Sequence, residues 1–248
     1  MMSGAVDQQR ACDGTEERLR ELLATAALFR WLARGMMYPY PGARGTLLAE
    51  ARQLLLLLPA WSRMQDALSN TDEGLLEAEY CRLFMGRGVC SLHETAYGDG
   101  QRMGGQVVEL ADISGFYRAF GVEPSPTQPD LPDHLCSELE FYSLLLIKEA
   151  YALDEAWTEQ AQVAEEAGQT FLSHHLGRWI VPLAEGVRDH AGADTFYGTL
   201  ATVLQEVVAQ ECRRRGVTPQ PFSGRLTPDE GLQGDAFICP REQVPSAN

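Results

Sequence analysis

The sequence predicts an all-α protein that folds as a single compact domain, or as two lobes hinged at a proline-rich linker. Almost every apolar stretch recurs at helical spacing, and none alternates convincingly with the period of a half-buried strand. Glycines and prolines separate these stretches at intervals typical of helix lengths. With 248 residues, 45% of them hydrophobic, the chain has enough apolar side chains for a sizeable core.

Four helices are predicted in the first half of the chain, each with a recognisable start or stop. Thr15 precedes two glutamates, which favour the positively polarised end of a helix. Pro59 stops the second helix because proline lacks the backbone N–H, and Gly121 closes the fourth because glycine tolerates left-handed geometry. The predicted helices begin after Thr15, run from Leu47 to Leu58, run from a cap at Thr71 or Asp72 toward Phe84, and run from Val107 to Phe120.

The second half begins with a stiff, proline-rich linker over residues 123–130 and contains longer helices. The clearest is amphipathic and ends at Gly216. Three arginines precede this glycine, and their positive charge offsets the negative end of the helix dipole. The predicted helices run from Pro132 to about Leu153, from Asp154 to Leu176 with Gly177 after it, from Arg178 to Arg188 with an interruption at Pro182, and from Phe196 to Arg215. The predicted organisation is a disordered segment over 1–14, a helical domain over 15–216 and an extended tail over 217–248.

The charge balance and the cysteines limit the classes of function. The net charge of −15 disfavours nucleic-acid binding, which needs clustered lysines and arginines. An acidic surface suits cationic partners such as arginine-bearing peptides, although it equally serves solubility. Six scattered cysteines without a Cys-x-x-Cys pair, and no secretory signal or long apolar run, predict a cytoplasmic protein with reduced thiols.

The most informative stretch is the start of the helix near Pro132, where polar residues precede a long apolar stripe. Asp133, His134, Glu138 and Glu140 are costly to bury unless they are paired. They therefore indicate a charged rim that meets a partner while the leucines behind anchor the helix. The simpler alternative is that Asp133 caps the helix and His134 pairs with Glu138 on the surface.

A second candidate is the end of the helix that reaches Phe84 and the loop that follows it. Leu83 and Phe84 offer apolar contacts, while the loop holds Ser91, Glu94 and Tyr97. The simpler interpretation is a core helix followed by a surface loop. Beside the start of the helix near Pro132, the same residues would instead form a groove with apolar walls and acidic ends.

Catalytic and metal chemistry find little support in the sequence. The glycine-rich loops lack the lysine and hydroxyl residue of a phosphate-binding loop, and no cysteine or histidine lies in a nucleophile signature. Cys90 and His93 have the spacing of a local pair of zinc ligands. A structural zinc site needs two such pairs, and the sequence has no second one. A non-enzyme is therefore predicted. The alternative hypothesis is a helical metal-binding protein or small metalloenzyme that uses His134, Glu138, Cys90 and His93.

Three motifs together resemble the TorD/DmsD/NarJ family of chaperones for molybdenum enzymes. The resemblance covers roughly residues 19–215. The loop from Cys90 to Tyr97 and the segment from Ile113 to Gly121 are most similar to the branch that serves type II dimethyl-sulfoxide-reductase-like enzymes. Leu92 departs from the commoner family loop, which has proline after its serine. The motifs are Tyr80-x-x-Leu83-Phe84, Ser91-x-x-Glu94-x-x-Tyr97 and Pro132-Asp133-His134-x-x-x-Glu138-Leu139-Glu140-Phe141.

The resemblance implies an all-helical cytoplasmic chaperone that binds the twin-arginine leader of a catalytic subunit. It would hold that subunit until the molybdopterin cofactor is inserted, and would delay export. Carried over by motif, the leader-binding residues would be Asp133, His134, Glu138, Glu140, Glu94, Tyr97, Ser91, Leu83 and Phe84. Some members are reported to bind GTP or the molybdenum cofactor, but nothing in this sequence supports either, so no resident cofactor is predicted. We expect mainly a monomer, with a swapped dimer hinged at the proline-rich linker as the alternative.

Overall fold

The structure, a computed structural model, describes residues 2–54, 61–86, 88–98, 105–123 and 131–219. Within these ranges it is built from α-helices, and the prediction of an all-α fold is confirmed. The helices are α1 (Met2–Gly35), α2 (Ala43–Leu54), α3 (Trp61–Asn70), α4 (Glu73–Phe84), α5 (Gly105–Ala119), α6 (Leu135–Asp154), α7 (Thr158–Phe171), α8 (Gly177–Ala191) and α9 (Phe196–Arg215). A 3₁₀ turn spans Glu94–Ala96, and a π-helical turn spans Leu172–Leu176 between α7 and α8.

Helix α6 lies at the centre of the fold, between α1 and α7, while α9 packs against α8 and α3. The predicted apolar stripe of α6 is buried, as expected for the longest such stripe in the chain. Its buried members include Leu135, Leu139, Tyr142, Leu145 and Leu146. The largest fully buried side chains come from several helices and include Phe29, Trp31, Tyr142, Phe171, Trp179 and Tyr197.

The described helices share one core rather than two. Ile113 and Tyr117 of α5, which precedes the proline-rich linker, belong to the same buried cluster as the α6 side chains that follow it. The structure thus favours the single-domain prediction over two lobes. Residues 124–130 of the linker and 220–248 of the tail lie outside the described ranges. Among the helices that are described, none is long and apolar enough to cross a membrane.

Several helix ends agree with the sequence prediction because local capping decides them. Asp72 is the N-cap of α4, and its Oδ1 accepts a hydrogen bond from Leu75 N at 2.8 Å. Thr195 caps α9, which ends at the left-handed Gly216, with φ of 67°.

Substituting Asp72 by alanine is expected to lower the free energy of unfolding by about 1 kcal/mol, because the N-terminal amides of α4 lose their side-chain acceptor. Urea denaturation measures this loss. Asp66→Ala is the matched control, since this exposed aspartate lies within α3 and its removal should change stability by less than about 0.5 kcal/mol. Equal losses in both variants would show that the cap contributes nothing.

Other predicted boundaries are wrong. Helix α1 begins at Met2 rather than after Thr15, and so runs through the boundary drawn at residue 14, where no proline stops a helix. Helix α7 begins at Thr158, because the chain turns at Ala156, whose φ is 57°. Helix α8 continues through Pro182, since one missing N–H leaves the neighbouring turns intact.

Gly177 is not the helix stop that the sequence suggests. It connects the π-helical turn to α8 with helical backbone geometry. A Cβ atom at this position would lie 2.4 Å from Leu172 O and 2.5 Å from Pro219 Cγ. Glycine is therefore required by close packing, which sequence reasoning mistook for a terminator.

The end of α9 carries a buried network of ion pairs. Arg215, whose side chain is 1% exposed, donates to Glu149 Oε2 at 2.6 Å and to Glu211 Oε1 at 3.0 Å. Tyr142 Oη donates to Glu211 Oε1 at 2.6 Å, and Arg18 donates to Glu149 Oε1 at 2.9 Å. Arg215 thus connects α9 to α6, and through Glu149 to α1, rather than only opposing the helix dipole as predicted.

Candidate functional site

The candidate site begins where the loop after α4 pairs with the segment before α6. Glu94 N donates to Asp133 O at 3.0 Å, and Leu135 N donates to Leu92 O at 2.8 Å. These two bonds form an isolated antiparallel bridge between His93 and His134. The pairing brings together two motifs that are some forty residues apart, which agrees with the expectation that they are neighbours. Residues 88–98, which carry this pairing, form the clamp loop.

Asp133 is fully buried and holds the clamp loop through its side chain. Its Oδ2 accepts from Thr95 Oγ1 at 2.6 Å and from Thr95 N at 3.2 Å, and its Oδ1 lies 3.1 Å from His93 Nδ1. Burial alone would raise the pKa of Asp133, but the hydrogen bonds from His93 and Thr95 outweigh it and lower this pKa. Asp133 is therefore a buried anion that organises the loop.

The cap of α6 is His134, so the interpretation of Asp133 as the helix cap is wrong. His134 Nδ1 accepts a hydrogen bond from Cys136 N at 3.2 Å, and the helix begins at Leu135 instead of Pro132. The prolyl carbonyl is used elsewhere, since it accepts from Tyr117 Oη at 2.7 Å. The proline and Asp133 form the turn that leads into the cap.

Glu94 and Glu138 form the deeper part of the site, and both are fully buried. Trp179 Nε1 donates to Glu138 Oε2 at 3.1 Å, and His175 Nδ1 lies 3.1 Å from Glu94 Oε2. Burial raises the pKa of Glu138 well above its usual range, and the negative charge of Glu94 adds to that shift. The simple surface pair of His134 with Glu138 does not occur, because Glu138 points to Trp179 in the interior.

His175 connects this buried pair to the surface. Its ring lies between Phe116 and Phe171, with centroids 5.6 and 5.2 Å away, and its Nε2 is 3.3 Å from Asp112 Oδ2. The Asp112 side chain is 60% exposed. The His175 ring is buried, and its two nitrogens face the carboxyl groups of Glu94 and Asp112.

Sequence reasoning missed three further members of the site, namely Thr95, Trp179 and Asp112. One signal was available for Trp179. His175 and Trp179 are four residues apart, so they face the same side of a helical segment and both reach the buried glutamates. No comparable signal marks Thr95 or Asp112, whose partners lie on distant segments.

The remaining predicted residues divide between core and surface. Tyr97 is buried, packs on Trp179 with ring centroids 5.4 Å apart, and donates through Oη to Ser91 O at 2.8 Å. Leu83 is fully buried. Tyr97 and Leu83 thus belong to the core rather than to an exposed groove wall. The other three are accessible, since Ser91 and Phe84 are half-buried and Glu140 is exposed.

The metal alternative is not favoured. Among the residues that the structure describes, no group of three or more His, Cys, Asp or Glu side chains could hold a metal ion. Burial raises the pKa of the Cys90 thiol to about 11, which disfavours the thiolate that a metal needs. His93 faces Asp133 and Glu138 faces Trp179, so the four proposed ligands do not converge.

Known proteins are similar to this chain over most of its length. Residues 55–185, which include the clamp loop and α6, match the nitrate reductase delta subunit family. The chlorate reductase assembly chaperone protein of Ideonella dechloratans is 28% identical over 199 residues, covering 77% of this chain and 90% of that protein. The selenate reductase assembly chaperone protein of Thauera selenatis is 29% identical over 198 residues, covering 75% and 88%.

A solved structure shares the fold. The redox enzyme maturation protein from Archaeoglobus fulgidus superposes with a TM-score of 0.50 at 17% identity, covering 74% of this chain and 93% of that one. The curated relatives are assembly chaperones rather than catalysts, which confirms the prediction of a non-enzyme. The family match also confirms the resemblance that the three motifs indicated.

Proposed function

The chain belongs to the nitrate reductase delta subunit family, and we propose that it is an assembly chaperone for the catalytic subunit of a molybdenum reductase. The observation that carries this proposal is the similarity to two assembly chaperones over about nine-tenths of their length. Their names refer to chlorate and selenate reductase, so the proposed client is a related oxyanion reductase of the type II dimethyl-sulfoxide-reductase group.

The finer proposal is that the chaperone binds the client's twin-arginine leader in the cytoplasm and delays export until the molybdopterin cofactor is inserted. That cofactor belongs to the client, and no resident cofactor is proposed for the chaperone. The net charge of −15 supports binding of a cationic leader, because opposite charge speeds encounter and favours the correct partner.

We assign different tasks to the buried and the accessible carboxyl groups. Glu94, Asp133 and Glu138 have no exposed surface, so their proposed task is to position the clamp loop. The proposed contacts for the leader's arginines are Glu140 and Asp112, whose carboxylates reach solvent. Guanidinium and carboxylate form charge-assisted, often bidentate hydrogen bonds, and a water-shielded contact contributes about 1.5–3 kcal/mol.

Apolar and neutral polar contacts complete the proposed surface. Val89 in the clamp loop and Leu131 before α6 are 42% and 47% exposed, so they offer apolar contacts for the leader's hydrophobic stretch. Among the leader-binding residues predicted from the motifs, three more are half-buried and therefore partly accessible, namely Phe84, Ser91 and His134. In this proposal they contact the peptide backbone and its apolar side chains.

Substituting Glu140 by glutamine is expected to weaken binding of the client's leader peptide about tenfold, which corresponds to about 1.4 kcal/mol, because one charged hydrogen bond is lost. Calorimetric titration measures the affinity, which should also fall as salt is added. Glu155→Gln is the matched control, since this exposed glutamate follows the far end of α6.

A leader whose paired arginines are replaced by lysines should bind more weakly, because lysine cannot form the bidentate contact. Equal affinities for both peptides would contradict recognition by these carboxylates.

The proposed role as an assembly chaperone is tested by maturation of the client itself. The catalytic subunit of a candidate client reductase is expressed with and without the chaperone, and its molybdenum content and reductase activity are measured. We expect a complex of chaperone and apo subunit, and a molybdenum-deficient subunit when the chaperone is absent. Full cofactor loading without the chaperone would contradict the proposed function.

The oligomeric state is tested separately. Sedimentation of the free chaperone should show the expected monomer.

A further inference from the structure

Among the described residues, none donates a hydrogen bond to two carboxyl oxygens in the deep part of the site. Glu94 Oε1 and Glu138 Oε1 are both buried and unpaired, although the other oxygen of each group contacts His175 or Trp179. Their partners His175 and Trp179 are one helical turn apart, so the two carboxyl groups meet in the same part of the interior. Two ionised carboxylates buried together would repel each other and leave both oxygens unsatisfied, and the negative charge of Glu94 accordingly raises the pKa of Glu138. A single proton between them would satisfy both oxygens.

We propose that Glu94 and Glu138 share one proton, and that this hydrogen bond latches the clamp loop onto α6. Glu138 is then a positioning residue, because it acts on the client through the loop rather than by contact. The latch adds a second attachment to the one that Asp133 makes with Thr95, on the other side of the same 3₁₀ turn. The link from latch to client binding rests on the proposed function, whereas the shared proton itself does not.

The charged groups around the pair favour one retained proton. From the segment before α6, Asp133 adds a negative charge, which His93 offsets in part. From the π-helical turn, His175 faces Glu94, and Asp112 of α5 faces the other nitrogen of the same ring.

The remaining neighbours do not replace that proton. Tyr117 of α5 is neutral, because burial raises its pKa well above the usual value. Its hydroxyl donates a hydrogen bond to Pro132 O. Glu140 of α6 adds negative charge near Tyr117, and Arg178 of α8 faces Glu109 across 3.7 Å. Arg178 is directed to Glu109, and no described donor contacts Glu94 Oε1 or Glu138 Oε1, so a proton is the simplest partner for these two oxygens.

The latch has a defined pH dependence. A carboxyl group that keeps its proton on folding stabilises the folded state most below its unfolded pKa, and this contribution is lost as the pH rises through the folded pKa. The clamp loop should therefore become less firmly held as the solution becomes more alkaline. The contribution of Asp133 is lost instead as the pH falls, because the folded pKa of Asp133 is lowered. The two effects therefore occur at opposite ends of the pH range.

Glu138→Gln is the decisive variant, because its amide donates to Glu94 without titrating. Two measurements on the free chaperone are proposed, namely the infrared band of protonated carboxylic acids and backbone hydrogen exchange of residues 88–98 between pH 5 and 9. In wild type the acid band should persist at neutral pH, and protection of the loop, corrected for the intrinsic exchange rate, should fall at least tenfold as the pH rises. In Glu138→Gln the band should disappear and protection should stay constant.

Two further variants keep the test interpretable. Glu155→Gln, at the far end of the same helix and exposed, should retain the band and the wild-type pH profile. Should Glu138→Gln fail to fold, Glu94→Gln removes the titrating pair from the other side, with the same expected loss of pH dependence. Absence of the acid band from wild type, or the same pH profile in wild type and in the glutamine variants, would overturn the shared proton. These results are obtained without client, so failure of leader binding would leave them unchanged.

Discussion

Substitution of Arg215 by alanine is expected to lower the free energy of unfolding by about 3–5 kcal/mol, among the largest losses expected for any single residue of the chain. The guanidinium is buried, and its removal leaves Glu149 and Glu211 with uncompensated negative charge in the interior. Arg18 and Arg214 retain contacts to these glutamates and limit the loss, but neither connects α9 to α6. Urea denaturation at neutral pH measures the change.

Arg213→Ala is the matched control for this prediction. Arg213 lies in the same last turn of α9 but is exposed, so its removal should change stability by less than about 0.5 kcal/mol. The prediction fails if the two alanine variants have similar stability. In that case the ion network would be balanced by its own desolvation and would add nothing to the packing of α9 on α6.

Substitution of Asp133 by asparagine is expected to have the largest effect on the candidate site. The asparagine amide cannot accept all three contacts that Asp133 makes to Thr95 and His93, and a buried donor left unpaired costs about 1–3 kcal/mol. We expect a loss of about 2 kcal/mol in the free energy of unfolding and, under the proposed function, at least a tenfold loss in leader affinity.

The pH dependence of this variant provides an independent check. Because the folded pKa of Asp133 is lowered, its contribution is fully present above its unfolded pKa of about 4 and is lost as the pH falls through the folded value. The difference in stability between wild type and Asp133→Asn should therefore shrink in acid. Asp154→Asn, at the exposed end of α6, is the control and should show little difference at any pH. A constant difference across the acid range would show that Asp133 is not the ionised anchor of the loop.

The sequence was sufficient wherever local interactions decide the structure. The bounds of α9 follow from its apolar stripe, the threonine cap at 195 and the left-handed Gly216. The long buried stripe of α6 was likewise predicted, because its leucines recur at helical spacing. Both features depend on residues within a few turns of one another, where pattern and propensity agree.

Predictions failed where a distant segment supplies the partner. Asp133 has the sequence signature of a helix cap, but its acceptors are used by a loop some forty residues earlier. His175 and Trp179 are buried against glutamates from two other segments, and nothing in their own stretch of sequence identifies those partners. Gly177 has the sequence signature of a helix stop, because close packing against Pro219 leaves no local signal. Pairing across the fold therefore decides the chemistry of the site, and sequence spacing alone does not contain that information.

If the clamp loop and the start of α6 form the surface that meets the client, binding of the catalytic subunit should slow hydrogen exchange there. We expect slower exchange over residues 88–98 and 131–140 when the apo subunit is bound, with little change in α2 and α3. A matched experiment with Asp133→Asn should show faster exchange of the free loop and weaker protection by the client. Protection confined to α2 and α3, with residues 88–98 and 131–140 unchanged, would show that the client binds elsewhere.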